Sequence, residues 1–160
     1  MPDYGMRIRT AVLDDLEAIL KILSECPKVS WSRAQVAEEL VGSGKLSLVG
    51  LCDEEIVAFC FVRVAEETAE LLLIATRTQV RGKGYAYGIA CEISRKLKAL
   101  DVSEVFLEVR KGNLPAIRLY ERLGYISVAT RPNYYRDPTE DAIIFKLPLT
   151  DCQPNNSGLE

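Results

Sequence analysis

Arg81-Gly82-Lys83-Gly84-Tyr85-Ala86 stands between an apolar, strand-like run and a long amphipathic helix pattern. Its two glycines let the backbone turn sharply and approach a ligand closely. The helix that opens at once presents unpaired N–H groups and the positive end of its dipole. Arg81 and Lys83 flank the turn with positive charge, so the stretch reads as a seat for a phosphate or pyrophosphate. Gly82, Gly84 and Gly88 do not make a dinucleotide fingerprint, because G-x-G-x-x-G puts the third glycine at Tyr87. No acidic residue closes the next strand as a ribose-binding carboxylate requires. An ordinary strand-to-helix turn is the plain alternative.

Downstream of the turn, Ile89, Ile93, Leu97 and Leu100 mark the core face of a helix running to about Leu100, with Ala86 and Ala90 near that face. Val105, Leu107 and Val109 then alternate with Phe106, Glu108 and Arg110, the period of a strand. Strand, helix, strand makes a right-handed crossover with the glycine turn at the carboxyl end of its first strand. Asn113 caps a further helix bearing Ile117, Tyr120 and Leu123 and stopped by Gly124. Strands Tyr125–Thr130 and Ala142–Leu147 follow, joined by an aromatic, polar loop.

Upstream, the runs Leu46–Cys52, Ile56–Val64 and Ala69–Thr76 are joined by short acidic turns and predict an antiparallel meander. Met6–Thr10 reads as a first strand. Asp14 with Glu17 resembles a capping box ahead of Leu16, Ile19, Leu20 and Leu23, a helix ending near Cys26-Pro27. Trp31-Ser32 opens a second helix with Val36 and Leu40 on one face and Gly42-Ser43-Gly44 as its stop. Gly44-Lys45 is no Walker loop, since Glu39 and Leu46 stand where glycine and Ser or Thr are needed.

The 160 residues, 48% hydrophobic and 27% charged, fit one globular domain over residues 1–148. Residues 149–160 read as a disordered, Pro/Asn/Ser/Gly-rich tail. No apolar run reaches the roughly 18 residues that span a membrane and no signal-peptide core opens the chain, so a cytoplasmic location is expected. A net charge of -3 argues against sequence-independent nucleic-acid binding. The five cysteines show no C-x-x-C spacing, and at least three read as small core residues. Histidine is absent, which removes Ser-His and Cys-His catalysis and leaves no zinc or redox site to expect. Any acid or base must be a carboxylate, tyrosine, lysine, cysteine or water.

Arg81, Gly84 and Ala86 match R/Q-x-x-G-x-G/A, the acetyl-CoA signature of the GNAT N-acetyltransferase superfamily, and the order of elements around them is similar to that family's. Leu107-Glu108-Val109-Arg110, Asn113, Ala116, Leu119-Tyr120 and Gly124-Tyr125 resemble L-x-V-R-x-x-N-x-x-A-x-x-L-Y-x-x-x-G-F of its protein N-terminal branch. Arg131, Tyr134-Tyr135, Glu140-Asp141-Ala142 and Trp31-Ser32 add further matches. The resemblance spans about residues 6 to 148 and points to the RimI-like ribosomal-protein-alanine N-acetyltransferases. Thr76, Thr78 and Val80 depart from the valine, proline and aromatic residue usual before the turn.

The resemblance implies a mixed α/β GNAT fold, with a mostly antiparallel sheet of about seven strands, about four helices, and a split between two strands where acetyl-CoA enters. It implies cofactor contacts at Ala75, Thr76, Arg81, Gly82, Lys83, Gly84, Tyr85, Ala86 and Asn113, with no metal. Lys83 reads equally as a solvated side chain and Asn113 as a helix cap. The implied substrate is a protein N-terminus, with Trp31, Tyr134 and Tyr135 lining its pocket and Glu140 or Asp141 near its ammonium group. A small-subunit ribosomal protein with N-terminal alanine is the expected partner. A lysine or small-molecule amine acceptor, and a CoA-sensing module without turnover, are the alternatives.

An α-amino group, with a reference pKa near 8, costs about 1.4 kcal/mol to deprotonate at pH 7, against about 4.6 kcal/mol for lysine. A modest base suffices, and Glu108 inside an apolar strand is the candidate, a salt bridge to Arg110 being the alternative. Tyr120, protonated at pH 7, is the candidate donor to the departing thiolate, core packing being its alternative.

Overall fold

The structure, a computed structural model, describes residues 5–149. Its strands are β1 (Arg7–Thr10), β2 (Lys45–Cys52), β3 (Glu55–Ala65), β4 (Thr68–Thr76), β5 (Glu104–Arg110), β6 (Ile126–Tyr135) and β7 (Glu140–Pro148). They form one sheet in the order β1-β2-β3-β4-β5-β7-β6. Helices α1 (Leu16–Ser24), α2 (Arg33–Glu39), α3 (Tyr85–Ala99) and α4 (Leu114–Arg122) flank it. None of these helices is long and apolar enough to cross a membrane.

The meander is formed as its short turns require: β2, β3 and β4 pair antiparallel, with Leu48 opposite Cys60 and Cys60 opposite Ile74. The crossover through α3 makes β4 and β5 the parallel pair, which they are only from Thr68–Glu70 against Glu104–Phe106. Beyond Glu70 each strand keeps its outer neighbour, β4 reaching Thr76 opposite Ala58 and β5 reaching Arg110 opposite Ala142. The sheet is therefore split between them. A bulge lies where the split opens: Phe61 faces Leu73 and Val62 faces Leu71, so Leu72 is the extra residue that bends β4 away.

Alternation along the strands divides the core into two clusters. Val105, Leu107 and Val109 pack with Ile89, Ile93 and Leu97 of α3 and Tyr120 of α4 on one face. Phe59 and Phe61 pack with Ile19 and Ile22 of α1 and Val36 of α2 on the other. Leu100, expected in the first cluster, is 57% exposed. The helix ends one residue earlier, Asp101 takes a left-handed φ of 60°, and Val102 N–H returns to Leu97 O at 3.0 Å. Val102 thus fills the space expected of Leu100, the hydrophobic return of a Schellman-type stop.

Further expectations are corrected. The Asp14–Glu17 box is not formed: a 3-10 turn over Leu13–Asp15 precedes α1, and Asp15 accepts from Val12 N–H at 2.8 Å while pairing with Arg9 at 2.8 Å. Glu17 pairs instead with Arg33. The second helix is capped as expected, Ser32 Oγ accepting from Gln35 N–H at 3.1 Å and Gln35 Oε1 from Ser32 N–H at 2.8 Å. Next, β6 continues to Tyr135 and β7 begins at Glu140, so Tyr134 and Tyr135 close a strand rather than occupy a loop. Pro132 and Asn133, which look like strand breakers, sit in a bulge between Arg131 opposite Ala142 and Tyr135 opposite Glu140. Last, of the described cysteines only Cys60 is buried, with Cys26, Cys52 and Cys91 half-buried. Leu149 is buried and donates its N–H to Ser103 O at 2.8 Å, so the packed chain extends one residue past 148. The rest of the expected tail, Cys152 included, lies outside the described residues.

Candidate active site

The glycine turn grows out of β4. After Thr76 the chain makes a 3-10 turn over Thr78–Val80, then Gly82 at φ 79° and Gly84 at φ 86° reverse the backbone into α3. Both angles are left-handed, where a Cβ is strained. A Cβ at Gly82 meets nothing within 4 Å, so the space in front of that residue is open to a ligand. Gly88 N–H closes the first turn on Gly84 O at 2.9 Å, which leaves the amides of Tyr85 and Ala86 ahead of the ladder at the positive end of a 15-residue helix. The chemistry of this donor set fits a pyrophosphate. Lys83 is exposed. Arg81 is turned away from the seat, its Nη2 donating to Glu25 O at 3.4 Å and lying 3.8 Å from Cys26 Sγ at the end of α1.

Ala75 and Thr76 lie on the part of β4 that pairs with β3 alone, opposite Phe59 and Ala58. Their strand has no partner on the side of the split. Asn113 caps α4, its Oδ1 accepting from Ala116 N–H at 3.3 Å, and is exposed beside the mouth of the split.

Glu108 and Tyr120 lie on opposite faces of the sheet. Leu107 and Val109 point into the α3–α4 cluster, so Glu108 between them points to the face that carries α1 and α2. Its carboxylate, about a quarter exposed, is 3.2 Å from Arg131 Nη1. Tyr134 hydrogen-bonds to Glu108, and this bond raises the Tyr134 phenol above its ordinary value. Tyr135 is pushed up to about 12, by burial first and then by the Glu108 charge. The alternative pairing of Glu108 with Arg110 is not formed. Arg110 turns to Glu140 at 3.4 Å and to Pro138 O at 3.2 Å, and stacks 4.3 Å from the Tyr135 ring centre.

Tyr120 is 6% exposed, its ring 5.6 Å from Tyr125 and 6.3 Å from Phe145, and burial pushes its phenol well above the ordinary value. The ring packs in the core, one of the two readings the sequence left open, and burial keeps the hydroxyl protonated at neutral pH. Trp31 rests on Phe61 at 5.6 Å and continues the α1–α2 wall on the Glu108 face. Tyr134, 45% exposed, meets Tyr135 edge-on at 5.1 Å.

Glu140 and Asp141 do not fit the expectation that they hold an acceptor's ammonium group. Glu140 Oε2 accepts from Gly112 N–H at 2.6 Å and Asp141 Oδ1 from Asn133 N–H at 2.8 Å. Both carboxylates fix turns. Sequence reasoning missed Arg131 as the partner of Glu108, because that pairing depends on the β6 bulges. It also missed Arg77 and Glu25 behind the donor turn. A depression of about 330 Å³ lined by Arg63, Thr68, Glu70 and Phe106 lies at the opposite end of β4 and contains none of these groups.

The glycine turn, the slit between β4 and β5, Glu108 on one face and Tyr120 on the other make up the candidate site. The family described as FR47-like protein matches residues 48–135. The [ribosomal protein bS18]-alanine N-acetyltransferase of Escherichia coli K12 is 31% identical over 138 residues, covering 85% of this chain and 93% of that protein. The crystal structure of the ribosomal-protein-S18-alanine N-acetyltransferase from Escherichia coli superposes with a TM-score of 0.86 at 30% identity, covering 94% of this chain and 97% of that one. Arabidopsis thaliana NAA60 in complex with acetyl-CoA shares the fold alone, with a TM-score of 0.81 at 19% identity over 89% of this chain and 98% of its own. The chain belongs to the FR47-like family of GNAT N-acetyltransferases.

Proposed function

We propose that this protein transfers the acetyl group of acetyl-CoA to the α-amino group of a protein, the N-terminal alanine of a small-subunit ribosomal protein being the acceptor its relatives favour. The observation that carries the reading is the split between β4 and β5, which opens at the glycine turn and has Glu108 on one face and Tyr120 on the other. Acetyl-CoA supplies the thioester. The amides from about Gly82 to Ala86 hold its pyrophosphate, and Asn113 stands at the mouth of the split. The unpaired side of β4 through Ala75 and Thr76 offers main-chain groups to the extended arm, as a missing strand would take them.

The acceptor enters on the other face, between Trp31 and the Tyr134-Tyr135 pair. Glu108 takes the proton that the α-ammonium must lose, and the freed nitrogen pair forms the new C–N bond at the thioester carbon. The C–S bond breaks as the carbonyl re-forms. Tyr120 hydrogen-bonds to the departing sulfur and relays to it the second proton that the attacking nitrogen sheds, so the products are the amide and the CoA thiol and the phenol ends protonated as it began. No covalent enzyme intermediate is needed, because donor and acceptor meet in the slit.

Glu108→Gln and Tyr120→Phe are each expected to lower the rate on the order of a hundredfold. Loss below about threefold in a folded variant overturns the assignment. The acceptor is read by mass spectrometry of a peptide library incubated with acetyl-CoA. Acetylation of free N-termini is expected, and acetylation of lysine in peptides with blocked termini overturns that choice.

A further inference from the structure

The glycine turn is held from outside by Arg77 N–H to Val57 O at 2.8 Å, by Arg77 Nη1 to Glu55 Oε2 at 3.5 Å, and by Glu25 at α1's end, which reaches Arg77, Thr78 and Arg81. Glu25 lies just past the last turn of α1, more than fifty residues away in sequence, and its Oε2 accepts from Thr78 N–H at 2.7 Å. Its Oε1 is 3.9 Å from Arg77 Nε, a buried atom with no hydrogen-bond partner. Its main-chain carbonyl accepts from Arg81 at 3.4 Å. Arg77, Thr78 and Arg81 are successive anchor points of the loop that carries Gly82 and Gly84.

That loop has little of its own to hold it. Its internal bonds are Val80 N–H to Arg77 O at 3.1 Å and a long Arg81 N–H to Thr78 O at 3.4 Å, followed by two left-handed glycines. Loops of this kind lose much conformational freedom when they close on a ligand. Contacts that order them beforehand reduce that cost and appear as affinity. The Thr78 amide, with Arg77 and Arg81 nearby, holds the Glu25 carboxyl below its ordinary range, so it is a full anion at neutral pH.

We propose that Glu25 is a positioning residue that pre-orders the Arg77–Gly84 loop for the donor and ties it to the wall carrying Trp31. The inference rests on the acetyl-CoA reading above. Because α1 packs on the Glu108 face while the loop serves the other, Glu25 joins donor and acceptor sides through one carboxylate. Donor affinity then depends on where α1 ends, and any shift of that wall on acceptor binding is felt by the donor in equal measure.

The test is calorimetric titration of CoA into the full chain and its Glu25→Gln and Glu25→Ala variants. Glu25→Gln keeps an oxygen for Thr78 N–H and loses the charge facing Arg77, whereas Glu25→Ala loses both. Glu25→Ala is expected to weaken CoA binding about tenfold, with Glu25→Gln between it and the parent. KM for acetyl-CoA should rise in parallel while kcat at saturating donor stays within about twofold. CoA affinity within about twofold of the parent in both variants, whatever happens to Tm, overturns the proposal. A parent chain that binds no CoA overturns the acetyl-CoA reading as well, so the two failures are told apart by the parent titration alone.

Discussion

Arg131 shows how much a single side chain can organise on an acceptor face. Its guanidinium meets Glu108 at 3.2 Å and lies 5.4 Å from the Tyr134 ring centre, so the proposed base and the proposed acceptor pocket share one cation. Arg131→Met is expected to lower kcat/KM for an acceptor peptide about five- to tenfold, less than Glu108→Gln. Arg131→Lys should recover only part, because an ammonium keeps the charge without the planar stack. Steady-state kinetics on one peptide with all three variants checks the order. Asp15 makes a stability claim of the same kind. Hydrogen bonding to Arg9, then the Val12 amide, hold its carboxyl below the usual range in the folded protein. A depressed folded value stabilises the protein above the unfolded pKa, near 4, and that contribution is lost as pH falls through the folded value. Asp15→Asn is therefore expected to cost about 1–3 kcal/mol in urea unfolding at pH 7, at the lower end because Arg9 is partly exposed. The gap between the two proteins should narrow below about pH 4.

At the scale of elements, α3 explains why the glycine turn was legible and its surroundings were not. Period and composition suffice to place a helix after two glycines, and Ile89, Ile93 and Leu97 are buried where their spacing puts them. Gly84 is the residue before that helix and holds φ 86°. Gly84→Ala is expected to cost about 1–2 kcal/mol through left-handed strain. It should also weaken CoA binding, while a surface Ala substitution elsewhere on α3 does neither; thermal unfolding and calorimetry separate the two effects. The β6–β7 hairpin was the least legible part, because Pro132 and Asn133 argue locally against a strand. Only the bulge that absorbs them, fixed by Asp141 accepting from Asn133 N–H, lets the strand resume and carry Tyr134 and Tyr135 to the site. Local propensity yielded there to register. The same lesson applies to the start of α1, where the bonded carboxylate is Asp15 rather than Asp14 because it has Arg9 on β1 and the Val12 amide to meet, and no side chain caps the helix.

For the whole molecule, helix placement, the β2–β4 meander and its crossover to β5 followed from periodicity, short turns and handedness, whereas the insertion of β7 between β5 and β6 did not. Glu108, Tyr120 and the glycine turn stood out by residue type and spacing. Partners did not: Arg131 for Glu108, Glu140 for Arg110 and Glu25 for Thr78 are set by contacts between distant segments that no spacing within one segment encodes. The split sheet has a mechanical meaning as well. Three paired positions, Thr68–Glu70 with Glu104–Phe106, join two slabs that diverge toward the glycine turn. A slit closed at one end measures length. An arm threaded from the α3 end runs toward the last joined pair, Glu70 and Phe106. How far its tip advances along β4 is governed by the reach of the arm and the place where the slabs meet, and no single side chain needs to mark the stopping point.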